Sequence, residues 1–192
     1  MQMNAARLAE YIHDYDVDLE HSWVAVEDGE FLGLAMLGVR PRRTWITRLG
    51  VLPNRRRRGT GDVLVRALLE DTVELGWNCA FLEVIRGNSP ARELFARAGF
   101  REGRELMVLR RSAGPPALEP GGSASWLGKE EALARLREVP GRRPWTNEVE
   151  SYRNAGDAQG LAVHLPDGGQ GWMIFRRQET LLSHFFFQTT SG

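Results

Sequence analysis

The sequence predicts an α/β protein. Three observations carry that reading: short strand-like runs joined by hairpin signals between residues 22 and 52, a strand leading through a glycine-rich turn into a helix between 44 and 75, and a further strand, helix and strand between 78 and 109. Residues 3–15 are expected to be helical, because Ala5, Leu8, Ala9 and Ile12 fall at i, i+3, i+4 and i+7 on one face. Asp14 to Glu20 is acidic and reads as a loop. Strands are expected at Ser22–Glu27, Phe31–Val39 and Thr44–Leu52, with Asp28-Gly29 as the first hairpin turn, an Arg-Pro-Arg-Arg turn at 40–43, and Pro53 as the stop. From Asp62 to Leu75 the apolar positions keep helical spacing, and Gly76 is placed to cap the end. Asn78–Ile85 reads as a buried strand. Ser89 is a good N-cap with Pro90 behind it, and Ala91, Leu94, Phe95 and Ala98 share one face of a short helix that Gly99 ends. Phe100–Leu109 returns as a strand.

The chain of 192 residues is long enough for one domain or two small ones and for a core that needs no staples. Its 25 Lys+Arg balance 25 Asp+Glu, which removes the usual electrostatic reason to expect nucleic-acid or anionic-membrane partners. Cys79 is the only cysteine and the four histidines show no ligand spacing, so neither an intrachain disulfide nor a metal site is expected. No apolar run approaches a membrane span and the N-terminus lacks signal-peptide regions, which makes the cytoplasm the expected compartment.

Residues 112–125 change character, with Gly114-Pro115-Pro116 and Pro120-Gly121-Gly122-Ser123 and almost no apolar content. They are read as a linker between a unit at 1–111 and a second at 126–192. In the second unit Trp126-Leu127 is a candidate short strand, Lys129–Val139 and Thr146–Asn154 are candidate helices, and Leu161–Leu165, Gly171–Arg176 and Leu181–Gln188 are candidate strands.

The segment with the most chemistry is Arg55-Arg56-Arg57-Arg58-Gly59-Thr60-Gly61 between a strand and a helix. Backbone N–H groups of such a turn, together with a helix N-terminus, converge on an anion, and glycine lets the phosphate approach without a Cβ in the way. A P-loop is a poor fit because no lysine lies near Gly61, and a dinucleotide fingerprint is a poor fit because Leu64 stands where its third glycine belongs. Taken singly these features have blander explanations: arginine runs are commonly solvated, Asn88 can be a mere turn residue, and Ala91, Leu94 and Phe95 are first of all core-facing.

Their joint register is more informative. Arg56-x-x-Gly59-x-Gly61 after Leu49-Gly50-Val51-Leu52-Pro53 resembles the pyrophosphate-binding motif of the GNAT superfamily of acyl-CoA-dependent N-acyltransferases. Leu82-Glu83-Val84, Asn88-Ser89-Pro90-Ala91, Leu94-Phe95 and Ala98-Gly99-Phe100 resemble the superfamily's second signature, in order, so the resemblance spans about Ser22 to Arg110. It implies a central, splayed, mostly antiparallel mixed sheet flanked by helices, and acetyl-CoA as cosubstrate without a metal. The pyrophosphate would be held by the backbone of Arg56, Arg57, Arg58, Gly59, Thr60 and Gly61, the pantetheine arm would follow the backbone of Leu49 and Val51, and Asn88 would contact the coenzyme from the far side. The Val51 N–H would be the oxyanion donor. Glu83 is the candidate base, with a water chain as the alternative. Phe95 occupies a position where the family often has an acidic tyrosine; it donates no proton, so a bound water would stand in.

The implied activity is transfer of an acetyl group to a primary amine of a small molecule or peptide. A noncatalytic acyl-CoA-binding or scaffold protein, or a fragment of a longer tandem enzyme, are the alternatives. The stretch before Ser22 has room for one helix where the family has a strand and two helices, so the acceptor wall is expected to be shortened or supplied from elsewhere. The second unit repeats the order strand, two helices, three strands with which the superfamily's fold begins, and reads as a partial second unit of the same kind. Its Leu181–Gln188 strand is expected to pack on the first unit or to pair with a second chain as a homodimer.

Overall fold

The computed structural model describes residues 4–115 and 121–190. It divides into two compact units, one running through Ile12 and over Asp16–Leu106, the other combining His13–Tyr15 with the chain from Met107 onward. The five residues 116–120 of the expected linker, residues 1–3 before the first helix, and residues 191 and 192 lie outside the described residues.

Helix α1 (Ala5–Asp14) opens the first unit. A four-stranded sheet follows in the order β1 (Val17–Glu27), β2 (Glu30–Arg40), β3 (Arg43–Val51) and β4 (Ala80–Phe81). The first three strands form an antiparallel meander and β4 joins β3 in parallel, so the sheet is mixed. Asp28 and Gly29 both take left-handed φ at the first turn, as a tight two-residue hairpin requires. The expected acidic loop is instead the start of β1: Val17 and Asp18 pair with Gly38 and Leu37, and three extra residues bulge out before Trp23 meets Ala35. Ser22 Oγ donates to the Asp18 carbonyl and accepts from Leu37 N–H across that bulge. Local acidity hid a strand whose pairing partner lies on another segment.

Helix α2 (Thr60–Glu74) lays Leu64, Val65 and Leu68 on the sheet against Ala35, Leu37 and Ile46, with Phe95 of α3 (Ser89–Arg97) completing the apolar core. Thr44 Oγ1 lies 2.8 Å from Thr72 Oγ1, which donates to the Leu68 carbonyl at 2.7 Å, so Thr44 is the donor of the pair. Gly76, left-handed, ends α2 with Trp77 N–H on the Thr72 carbonyl and Gly76 N–H on Val73, a Schellman closure.

Two expected strands shrink or vanish. Asn78–Ile85 contributes only Ala80–Phe81 to the ladder, and 101–110 forms no regular element, with Met107, Val108 and Leu109 each more than four-fifths exposed. Alternating apolar residues favour a strand only when a neighbouring backbone offers its hydrogen bonds, and none of the described segments pairs with these.

The second unit is a purely antiparallel sheet, β5 (Ser123–Leu127), β6 (Ala158–His164), β7 (Gln170–Gln178) and β8 (Leu181–Thr190), in sequence order. Strand β5 starts three residues earlier than expected, because Ser123, Ala124 and Ser125 pair with His164, Val163 and Ala162. Helix α4 (Lys129–Glu138) buries Ala132, Leu133 and Leu136 on β6 and β7. It comes so close that a Cβ on Gly160 would sit 2.7 Å from the Ala132 methyl. The expected helix at 146–154 is a short 3-10 turn followed by α5 (Val149–Asn154), whose final carbonyls receive Lys129 Nζ at Arg153 and Ala155.

A buried polar network shares this unit's interior. Arg176 pairs with Asp14 at 2.7 Å and with Asp157 at 2.6 Å. Tyr15 Oη lies 3.1 Å from His184 Nε2, and Tyr152 donates to the His184 carbonyl. Trp145 Nε1 donates to the Tyr15 carbonyl at 2.8 Å. Together these contacts make Asp14 and Tyr15 part of the second unit's core. Burial and the Arg176 charge hold the His184 imidazole below its usual range, and burial raises the Tyr152 phenol.

Candidate functional site

The candidate site lies where β3, still paired with β2, runs on past the end of β4. Its ladder with β4 consists of Thr44–Ala80 and Trp45–Phe81, and the strand then runs on to Val51 without further pairing on that side. A bulge re-aims this run: Leu34 and Met36 of β2 face Gly50 and Thr47, so β3 carries one extra residue, and Arg48 takes φ +51° there.

Beyond the bulge the direction of each amide follows from the ladder. Leu52 N–H donates to the Leu32 carbonyl at 2.9 Å, and Gly33 faces Val51. Hydrogen-bonded and non-hydrogen-bonded pairs alternate in an antiparallel ladder, so Gly33–Val51 is a non-hydrogen-bonded pair. The Val51 N–H and C=O therefore point to the edge of β3 away from β2. Gly33 is required opposite them: a Cβ there would stand 2.4 Å from the Gly50 oxygen and 3.0 Å from Val51 Cα. Leu49 and Val51 pack their side chains against the α2 core, leaving their backbone at that edge.

The arginine run divides into separate tasks. Arg55 pairs with Glu30, and Arg56 Nε donates to the Val51 carbonyl at 3.0 Å, folding the turn back on the strand. Arg57 and Arg58 are exposed. Arg57 at φ +65° and Gly59 at φ +84° make two left-handed steps directly before Thr60 begins α2, a kind of backbone that can cup an anion. Around Gly59 a Cβ would meet nothing within 4 Å, so its glycine serves backbone conformation. Gly61 serves packing, since a Cβ there would lie 3.2 Å from Leu94 Cδ2 of α3.

The remaining sequence-derived residues are placed as follows. Asn88, not Ser89, is the N-cap of α3, its Oδ1 accepting from Ala91 N–H at 3.4 Å. Phe95 is 8 % exposed and sits edge-on to Phe100 with centroids 5.8 Å apart, inside the apolar core. Glu83 is exposed just past β4.

A group that periodicity alone did not single out faces the same stretch of β3. Tyr11 of α1 places its hydroxyl 2.5 Å from Thr47 Oγ1, and Arg48 Cζ stands 4.1 Å from the centroid of its ring. Burial raises the Tyr11 phenol, opposed by Thr47 and Arg48 and reinforced by the Glu83 charge, so Glu83 lies within electrostatic reach. The available signal was the Leu8, Tyr11, Ile12 spacing on α1, which puts Tyr11 on the sheet-facing side of the helix. Among the described residues no group of His, Cys, Asp and Glu is arranged to hold a metal ion, and no helix is long and apolar enough to cross a membrane.

The family model described as "Acetyltransferase (GNAT) family" matches residues 3–100. No curated protein matches. Among solved structures, the chain is similar to an acetyltransferase of Trypanosoma brucei at 23 % identity, covering 55 % of this chain and 77 % of that one with a TM-score of 0.45. It is similar to an aminoglycoside N-acetyltransferase solved in complex with CoA at 18 % identity, covering 59 % and 98 % with a TM-score of 0.45. A GCN5-related N-acetyltransferase of Ralstonia eutropha is 27 % identical over 46 % of this chain and 63 % of its own, with a TM-score of 0.41.

Proposed function

The chain belongs to the GNAT acetyltransferase family, and from that premise we propose that it moves an acetyl group from acetyl-CoA to a primary amine. The observation that carries this reading is the coincidence of two binding elements on one strand: β3 offers the Val51 N–H at an edge where its pairing with β4 has ended, and the left-handed turn at Arg57 and Gly59 opens α2 a few residues later. In this reading the backbone of Arg56–Gly61 holds the pyrophosphate, Arg57 and Arg58 add charge, and the pantetheine arm runs along Leu49 and Val51. Asn88 reaches the coenzyme from the start of α3.

As the amine attacks the thioester carbon, charge develops on the carbonyl oxygen, and the Val51 N–H stabilises it. Glu83 takes the proton that the attacking ammonium sheds, directly or through water. The acceptor is a small molecule or a peptide end.

Incubation with acetyl-CoA and a panel of amines, following free thiol, tests the reading. Acceptor-dependent thiol release supports it. Coenzyme binding without turnover on any amine favours a noncatalytic acyl-CoA-binding protein, which the enclosure of Phe95 in the apolar core supports as the second reading.

A further inference from the structure

Acyl transfer to an amine releases a thiolate, and the position where the family often has an acid holds Phe95, whose ring is packed in the core. The structure brings a different phenol to the strand that would carry the acyl end. A pantetheine arm laid from the turn past Val51 and Leu49, as proposed above, would point its sulfur toward the bulge at Arg48, beyond which stands Thr47, on which the Tyr11 hydroxyl rests. The ring is fixed from two sides, by Arg48 over its face and by Trp45 with centroids 6.4 Å apart. We propose that Tyr11 is the proton donor to the departing coenzyme A thiolate, with Thr47 holding its hydroxyl in position; this rests on the acetyl-transfer reading above.

The step balances. The amine nitrogen bonds to the acetyl carbon, the C–S bond breaks with its electron pair going to sulfur, and the Tyr11 hydroxyl proton goes to that sulfur. The phenolate left behind is reprotonated by the proton lost from the amine, relayed by water from Glu83. The charges that act on Tyr11 are Arg48, which steadies the transient phenolate, and Glu83, which opposes it. A buried phenol also keeps its proton at neutral pH, as a donor must.

The test compares the full chain with Tyr11→Phe, measuring coenzyme A affinity, thermal unfolding, and single-turnover rate against pH with saturating acetyl-CoA and the best amine of the panel. The expected result is coenzyme affinity and unfolding close to wild type and a rate at neutral pH lower by about 100-fold. The wild-type rate should fall at alkaline pH as Tyr11 ionises, and that limb should be missing from Tyr11→Phe. Should the variant unfold, fluorotyrosine placed at position 11 preserves the shape and lowers the phenol pKa, and the alkaline limb should move to lower pH. A rate and profile equal to wild type, a limb that does not move, or a raised amine KM with unchanged kcat overturns the assignment while leaving acetyl transfer standing. Coenzyme binding without turnover in the wild type overturns both.

Discussion

Both units contain an antiparallel meander of strands, and the residues around it differ. In each, helical segments lie beside an antiparallel meander with tight glycine-containing turns, Asp28-Gly29 in the first and Gly168-Gly169 in the second. The second shows the expected order of strand, two helices and three strands. The first unit's third strand runs on into Arg56-x-x-Gly59-x-Gly61 and α2, a sequence pattern that does not recur after residue 61. Their interiors differ as well. The first unit's apolar cluster runs from Ala35 and Leu37 to Phe95, with Arg40 buried on the carboxylate of Asp16, while the second places Arg176 between two aspartates beside its apolar cluster. The contrast teaches that similar meanders are packed by different means, one mainly by apolar side chains and the other around a cation held between two aspartates.

Breaking the second interior should have the largest effect. Arg176→Met leaves Asp14 and Asp157 without their cation, and removal of one partner from a buried ion network costs about 3–5 kcal/mol. Calorimetric unfolding should show that loss while coenzyme A affinity, read by titration calorimetry, stays near wild type. A parallel loss of affinity would mean the two interiors are not energetically separate.

Gly33→Ala attacks the first unit at the edge that aims Val51. Its Cβ overlaps the Gly50 oxygen, and overpacking of this kind costs about 1–3 kcal/mol. Because β3 must shift, coenzyme A binding should weaken by about tenfold or more, measured by titration calorimetry.

The glycine-rich turn gives a finer comparison. Gly59→Val forces a β-branched residue into φ +84°, and coenzyme binding should be abolished. Arg57→Ala removes one exposed charge and should weaken binding by about 1 kcal/mol or less. Equal losses in the two variants would make the turn a merely electrostatic patch.

The smallest effect separates two histidines of opposite sign. The Asp18 carboxylate beside His21 raises its imidazole, and burial lowers that of His184. The His21 contribution to stability is therefore present below its unfolded pKa and is lost as pH rises through the raised value. The His184 contribution is present above its unfolded pKa and is lost as pH falls through the lowered value. An NMR titration should put the two midpoints on opposite sides of about 6.5, the ordinary histidine value. Coincident midpoints would remove the difference.

Much of the frame was legible in the residues because its causes are local. Amphipathic spacing marked α1, α2, α3 and α4, Gly76 and Gly99 marked helix ends, and Asp28-Gly29 marked the first hairpin. Gly59 stood out because a left-handed step between a strand and a helix favours glycine.

What pairing decides was not legible. Residues 17–20 look like a loop and form a strand, and 100–109 looks like a strand and forms none, because a strand exists through a partner distant in sequence. Asn88 displaced Ser89 as the cap because its Oδ1 accepts from Ala91 N–H, three residues on. The sequence by itself determined the order of elements and the glycine-rich turn, through backbone freedom and apolar period. Only the tertiary structure decided that Tyr11, 36 residues before Thr47, meets β3 at its bulge. Such meetings depend on packing between elements that no local period records.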